Sequence, residues 1–201
     1  MKLCVIGDLH GRKSLLEKIV QTNPDYHYVI LGDIIHHKPF FRRTQRVSPL
    51  RIIDYIMSLG DQATTLMGNN ERYVLDRFCY PLSQIKKSEA RFTMQVLRAL
   101  DTQRRLEVMR FLINLPPHLE ISKYRFSHAY YQDPNTHLYG PGYKWFFPEH
   151  DPDHILDPNY EYFFGHYGKP YFRKNIRVLD CTELDAVGVW LTDKSEFKVY
   201  T

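Results

Sequence analysis

Five short blocks stand in fixed order along this chain: Gly7-Asp8-Leu9-His10-Gly11, Gly32-Asp33, Gly68-Asn69-Asn70-Glu71, Ser127-His128-Ala129 and Gly165-His166. Most of them follow an apolar run rich in β-branched residues. That narrows the folds open to the chain, because ligands far apart in sequence are gathered at the ends of neighbouring strands, on Gly-rich turns. Asp8, Asp33, His10, His128, His166 and Asn69 make a mixed oxygen and nitrogen set. Such a set suits a pair of divalent transition-metal ions and suits calcium or magnesium alone poorly.

The segments between the blocks alternate. Residues 2–6 read as a buried strand, and residues 14–21 as a helix with Leu15, Leu16, Ile19 and Val20 at helical spacing and Ser14 as N-cap. Tyr28–Leu31 is a second strand, so the opening is a parallel strand–helix–strand unit. Ser48-Pro49 starts a helix running to about Leu59, and Ala63–Met67 is a third strand leading to Asn69. From 73 to 115 the periodicity is helical, which predicts a helical cap insert. Short strands then dominate: Tyr124–Ser127, Tyr160–Phe164, Ile176–Leu179, Ala186–Thr192 and Phe197–Tyr200. The expected architecture is a single α/β domain, 1–201, with two mixed sheets packed face to face between flanking helices in a four-layer α/β/β/α sandwich.

Composition excludes several classes. A net charge of +4 gives no electrostatic case for a nucleic-acid binder. Cys4, Cys79 and Cys181 show no CxxC spacing, which predicts buried free thiols in a reducing compartment and no thiolate metal site. No segment has the apolar length of a membrane span, and Met1 leads directly into the first strand, so a cytoplasmic protein without a signal peptide is expected.

On the five blocks the chain resembles the calcineurin-like metallophosphoesterases, most closely the phosphoprotein-phosphatase branch and its diadenosine-tetraphosphate hydrolase relatives. The family pattern GDxHG, GDxxDR, GNHE, a lone His in an HA or HG context, and GH is matched here by GDLHG, GDIIHH, GNNE, SHA and GH. One block alone would be a weak signal; an isolated Asp after a strand is usually a turn former. Five in order are strong. The resemblance implies that Asp8 and His10 ligate one metal, that Asp33 bridges two, and that Asn69, His128 and His166 complete the second. It implies two divalent ions, manganese first with iron or zinc as alternatives, and a bridging hydroxide that attacks phosphorus. Gly168 stands where the phosphodiesterase branch has a second His, which favours the phosphatase-like branch.

Two departures fall at catalytic positions. The family's general-acid His is Asn70 here, and the Asp that orients it is His36; His37 replaces the Arg of the same block. A carboxamide has no titratable proton near neutral pH, and losing a general acid costs about 10²–10⁴-fold in rate. Three explanations stand open. His36 supplies the proton while Asn70 orients it, or only substrates with good leaving groups are cleaved. Otherwise the chain is an impaired metal-binding module acting through protein or nucleic-acid contacts. Arg42 and Arg43, with Arg46 beside them, are candidates to hold phosphate in place of the missing Arg, a solvated basic loop being the plain alternative; Arg12 is a weaker candidate. The aromatic, Gly- and Pro-dense stretch 130–147 reads as a loop beside the site, either stacking on a base or burying its own rings. The expected function is metal-dependent hydrolysis of a phosphate ester or anhydride carried by a phosphoprotein, nucleotide or small metabolite. Nucleic acid and membrane are not expected partners.

Overall fold

Alternation along the first strand, β1 (Leu3–Ile6), sets the layers. Leu3 and Val5 point into one apolar cluster, Cys4 and Ile6 into another on the opposite face. That is the period of two expected of a strand buried on both sides. The same split recurs in β2 (His27–Ile30), where Val29 joins Leu3 and Val5, and Tyr28 and Ile30 join Cys4 and Ile6. The computed structural model describes residues 1–35, 48–85, 88–129 and 157–201.

Among the described residues, two five-stranded mixed sheets form the centre. The first has the order β10 (Glu196–Tyr200), β9 (Val187–Leu191), β1, β2, β3 (Ala63–Thr65). β1, β2 and β3 are parallel, whereas β9 and β10 are antiparallel to their neighbours. The second has the order β4 (His118–Ile121), β5 (Tyr124–Ser127), β6 (Glu161–Phe164), β8 (Ile176–Val178), β7 (Tyr171–Arg173), with β5, β6 and β8 parallel. Phe126 of β5 and Phe163 of β6 stack with centroids 5.2 Å apart and pack on Leu3, Val5, Val29 and Leu31, joining the two sheets.

Five α-helices are described: α1 (Lys13–Thr22), α2 (Leu50–Ser58), α3 (Asn69–Arg77), α4 (Ser88–Arg98) and α5 (Thr102–Ile113). Each contributes to the cluster on the outer face of the first sheet, through Leu16, Ile53, Val74, Leu97 and Val108 among others. The two-sheet sandwich with flanking helices is therefore the architecture, and among the described residues all five helices lie over one sheet. No described helix is long and apolar enough to cross a membrane.

Three local expectations are corrected. Helix α1 begins at Lys13, one residue before Ser14, and no side chain caps it. β4 and β7 are strands that the hydropathy pattern did not single out. Each is an edge strand of three or four residues, too short and too exposed to alternate clearly. Cys4 and Cys181 are buried free thiols, but Cys79 is exposed on the turn after α3.

Candidate metal centre

The turns leaving β1, β2, β3, β5 and β6 carry all five sequence blocks, and backbone bonds lash them together. His10 N donates to Asp33 O at 2.8 Å, Gly11 N to Ile34 O at 2.8 Å, and Gly165 N to His128 O at 3.0 Å. His10, Asp33 and His166 all have positive φ, at 43°, 44° and 65°. That conformation costs an L-residue about 1–2 kcal/mol and clusters where function over-determines the backbone.

Helix α3 has glycine, Gly68, at its N-cap and so lacks a capping side chain of its own. Asp33 fills the role from the neighbouring turn, its Oδ1 accepting from Asn70 N at 2.9 Å. A Cβ on Gly68 would lie 2.5 Å from that same Oδ1, so the close approach requires glycine. Glu71, three residues after the N-cap, is fully buried and ties two ligand turns together. Its Oε2 accepts from Gly68 N at 3.0 Å and its Oε1 from Ile35 N at 3.1 Å. Burial pushes the Glu71 carboxyl up to about 8, the charge of Asp33 adds to the rise, and the backbone donors oppose it. The ligand blocks alone give Glu71 no role. The signal was present, since an acidic side chain three residues after a helix N-cap is half of a capping box.

The candidate ligands meet in two groups that share Asp33: Asp8, His10 and Asp33, and Asp33, His128 and His166. Asp33 offers a different oxygen to each. Its Oδ2 lies 3.8 Å from His10 Nε2 and its Oδ1 lies 3.5 Å from His128 Nε2. Asp8 Oδ2 is 3.7 Å from His10 Nε2, and Asp8 receives His166 N on both oxygens, at 3.1 and 3.2 Å. Asn69 joins the second group, its Oδ1 2.9 Å from His128 Nε2, while His166 Nδ1 is 3.0 Å from the same nitrogen.

The donor set fits cations. His128 Nδ1 lies 2.9 Å from Leu31 O, a carbonyl that can only accept, so the ring proton sits on Nδ1 and a neutral His128 presents a lone pair at Nε2. Asn69 uses its amide nitrogen on Asn70 Oδ1 at 3.3 Å, which leaves its carbonyl oxygen turned to His128. With His128 neutral, lone pairs from His128, Asn69 and Asp33 face one another around a common point. A cation there turns mutual repulsion into coordination, and the ring held by a backbone carbonyl on its far nitrogen is the usual outer support of such a ligand.

All six expected ligands, Asp8, His10, Asp33, Asn69, His128 and His166, are therefore brought together, as is Asn70. Asn70 turns its carboxamide onto Asp33 and away from solvent: Nδ2 lies 3.0 Å from Asp33 Oδ2 and 3.5 Å from Ile35 O. Arg12 is held by Asp185 at 2.8 Å. His36, His37, Arg42, Arg43, Arg46 and the stretch 130–147 lie outside the described residues.

Residues 1–189 match the calcineurin-like phosphoesterase model. The chain belongs to the calcineurin-like phosphoesterase family. No curated protein sequence matches it. Solved structures that resemble this family member include a protein described as a candidate diadenosine tetraphosphatase, at 14% identity and TM-score 0.70, covering 98% of this chain and 92% of that one. A metallophosphoesterase from Sphaerobacter thermophilus is 14% identical with TM-score 0.58, covering 100% and 87%. A serine/threonine phosphatase from Saccharomyces cerevisiae, similar to human phosphatase PP5, is 13% identical with TM-score 0.58, covering 100% and 79%. At such identities the likeness is one of fold.

Proposed function

We propose that this calcineurin-like phosphoesterase hydrolyses a phosphate ester or anhydride with two divalent cations, manganese in the first instance. Asp8, His10 and Asp33 would hold one ion, and Asp33, Asn69, His128 and His166 the other. The observation that carries the reading is Asp33, which belongs to both ligand groups and faces each with a different oxygen. Bound there, a metal pair supplies an acidified water and a clamp for the phosphoryl group.

The chain's own residues do the positioning. Leu31 O keeps the His128 proton on Nδ1, and His166 N steadies the carboxylate of Asp8. Arg42 and Arg43 would grip phosphate oxygens. His36 is the candidate proton donor to the leaving group, a role closed to Asn70 by its chemistry. Substrates of the classes named for the similar structures, a phosphoprotein or a dinucleoside polyphosphate, are the first to try.

The test is a panel of an aryl phosphomonoester, a bis-aryl diester, a phosphopeptide and a dinucleoside polyphosphate, with manganese, on wild type and Asp33→Asn. Turnover of at least one substrate, reduced by about 10²-fold or more in the variant, is expected. Equal turnover by both proteins would remove Asp33 from the reaction.

A further inference from the structure

His166 lies in a turn whose backbone is held from outside. His166 and Gly168 both have positive φ, 65° and 85°. A histidine keeps that conformation only where its surroundings over-determine it. At the start of the turn the restraints come from other candidate ligands: Gly165 N donates to His128 O at 3.0 Å, and His166 N to both oxygens of Asp8. At its end they come from the stretch 180–185 between β8 and β9, which carries no candidate ligand. Gly168 N donates to Asp180 Oδ2, and Gly168 O accepts from Glu183 N at 2.9 Å.

Asp180 stands out in that stretch because it is buried, and among the described residues it pairs with no cation. Burying a carboxylate is costly unless strong donors replace its water. Its Oδ1 is satisfied locally, accepting from Thr182 N at 2.8 Å and from Thr182 Oγ1. Its Oδ2 reaches back twelve positions to Gly168. Asparagine or serine could make the local bond alone. The bond to Gly168 is what needs the second carboxylate oxygen, since asparagine would set an amide nitrogen against a backbone N–H.

From this geometry we infer that Asp180 is a positioning residue for His166: its Oδ2 fixes the end of the turn whose start Asp8 fixes, and so aims the imidazole. This role rests on His166 being a metal ligand, as proposed, and is independent of how many ions bind or what bridges them. The bond that matters is the one to Gly168. Thr182→Val removes the hydroxyl donor to Oδ1 from the same buried turn and leaves Oδ2 on Gly168. A purely structural Asp180 would therefore disturb His166 only in proportion to lost stability, as Thr182→Val does.

The experiment records histidine ring resonances of the metal-free full-length protein by NMR, with His166→Gln identifying the His166 signal, and then titrates manganese by calorimetry. The proteins are wild type, Asp180→Asn, Asp180→Ser and Thr182→Val, each with its melting temperature. Asp180→Ser keeps a local acceptor for Thr182 N, is too short to reach Gly168 and opposes no two donors, which guards against collapse of the turn. Both Asp180 variants should shift or broaden the His166 signal and weaken manganese binding by about 10–100-fold, the range for loss of an outer-shell partner. Thr182→Val should lose stability yet keep the wild-type His166 signal and affinity. An unmoved His166 signal in the Asp180 variants, an equal movement in Thr182→Val, or undiminished manganese affinity would overturn the role of Asp180. A wild type that binds no manganese would instead overturn the metal reading of the site, so the two failures are separable.

Discussion

A single methyl group at Gly165 tests how tightly the cage is built. A Cβ there would collide with Asp8 Oδ1 and come within 3.4 Å of His128 Nδ1, so two candidate ligands border the space it would take. Carbon and oxygen atoms settle at about 3.5 Å, so the Asp8 carboxylate has to retreat by on the order of 1 Å. In doing so it strains the two bonds it accepts from His166 N, at 3.1 and 3.2 Å. Forcing a methyl into a filled interior costs roughly 1–3 kcal/mol, which for a chain of this size lowers the melting temperature by roughly 2–12 °C. A 1 Å misplacement at a reacting centre costs about 10²-fold in rate. Gly165→Ala should therefore lose stability and manganese-dependent turnover together, read by differential scanning fluorimetry and aryl phosphate hydrolysis. Gly60→Ala is the control. Its Cβ would meet nothing within 4 Å, and only its φ of 53° opposes the change, so turnover should be preserved. Wild-type melting and wild-type turnover in Gly165→Ala would refute the packing assigned to Asp8.

Manganese at about 100 times its dissociation constant should stabilise the fold by about 2.7 kcal/mol, raising the melting temperature by roughly 5–10 °C, reversibly with a chelator; no shift would count against a cation site. In the native protein one thiol, Cys79, should react promptly with a disulfide reagent at pH 8, and three in denaturant. Burial pushes Cys4 and Cys181 up to about 12 from 9.0. The stability their burial contributes is thus complete below about pH 9 and falls between about pH 9 and 12, because there the unfolded chain sheds protons that the folded chain retains. Urea midpoints at pH 8 and 10.5 check the sign. Because Asn70 has no proton to give and His36 is the proposed donor, His36→Ala should slow alkyl phosphates by about 10²–10⁴-fold and leave aryl phosphates and phosphoanhydrides nearly unchanged. Equal losses on all three, or none on any, would remove His36 as the donor.

The strands that carry ligands are legible because four of the five end in a glycine block after an apolar run, and the helices because their apolar faces repeat along α1, α2, α4 and α5. What lay beyond the sequence was cooperation between turns. Nothing in Gly32-Asp33 announces that Asp33 caps a helix thirty-odd residues downstream, nor that His10, Asp33 and His166 take left-handed backbone conformations. Those conformations are imposed by tertiary hydrogen bonds, which local propensity does not encode. Asn70 reads from sequence as a departure whose chemistry excludes acid catalysis, whereas its amide folds back on Asp33 through a tertiary contact that no local pattern encodes. β4 and β7 escaped notice because edge strands this short carry too few residues to alternate.

The turns bearing the ligands come from both sheets, and Asp8 touches the amide of His166 across 158 positions of chain. The first sheet carries Asp8, His10, Asp33 and Asn69, and the second adds His128 and His166. Uptake of an ion into the group that spans both sheets is therefore a reporter of the docking of one sheet on the other. Followed in time during refolding, it should lag the far-ultraviolet signal of helices and strands and coincide with burial of Phe126 and Phe163 against Leu3, Val5, Val29 and Leu31.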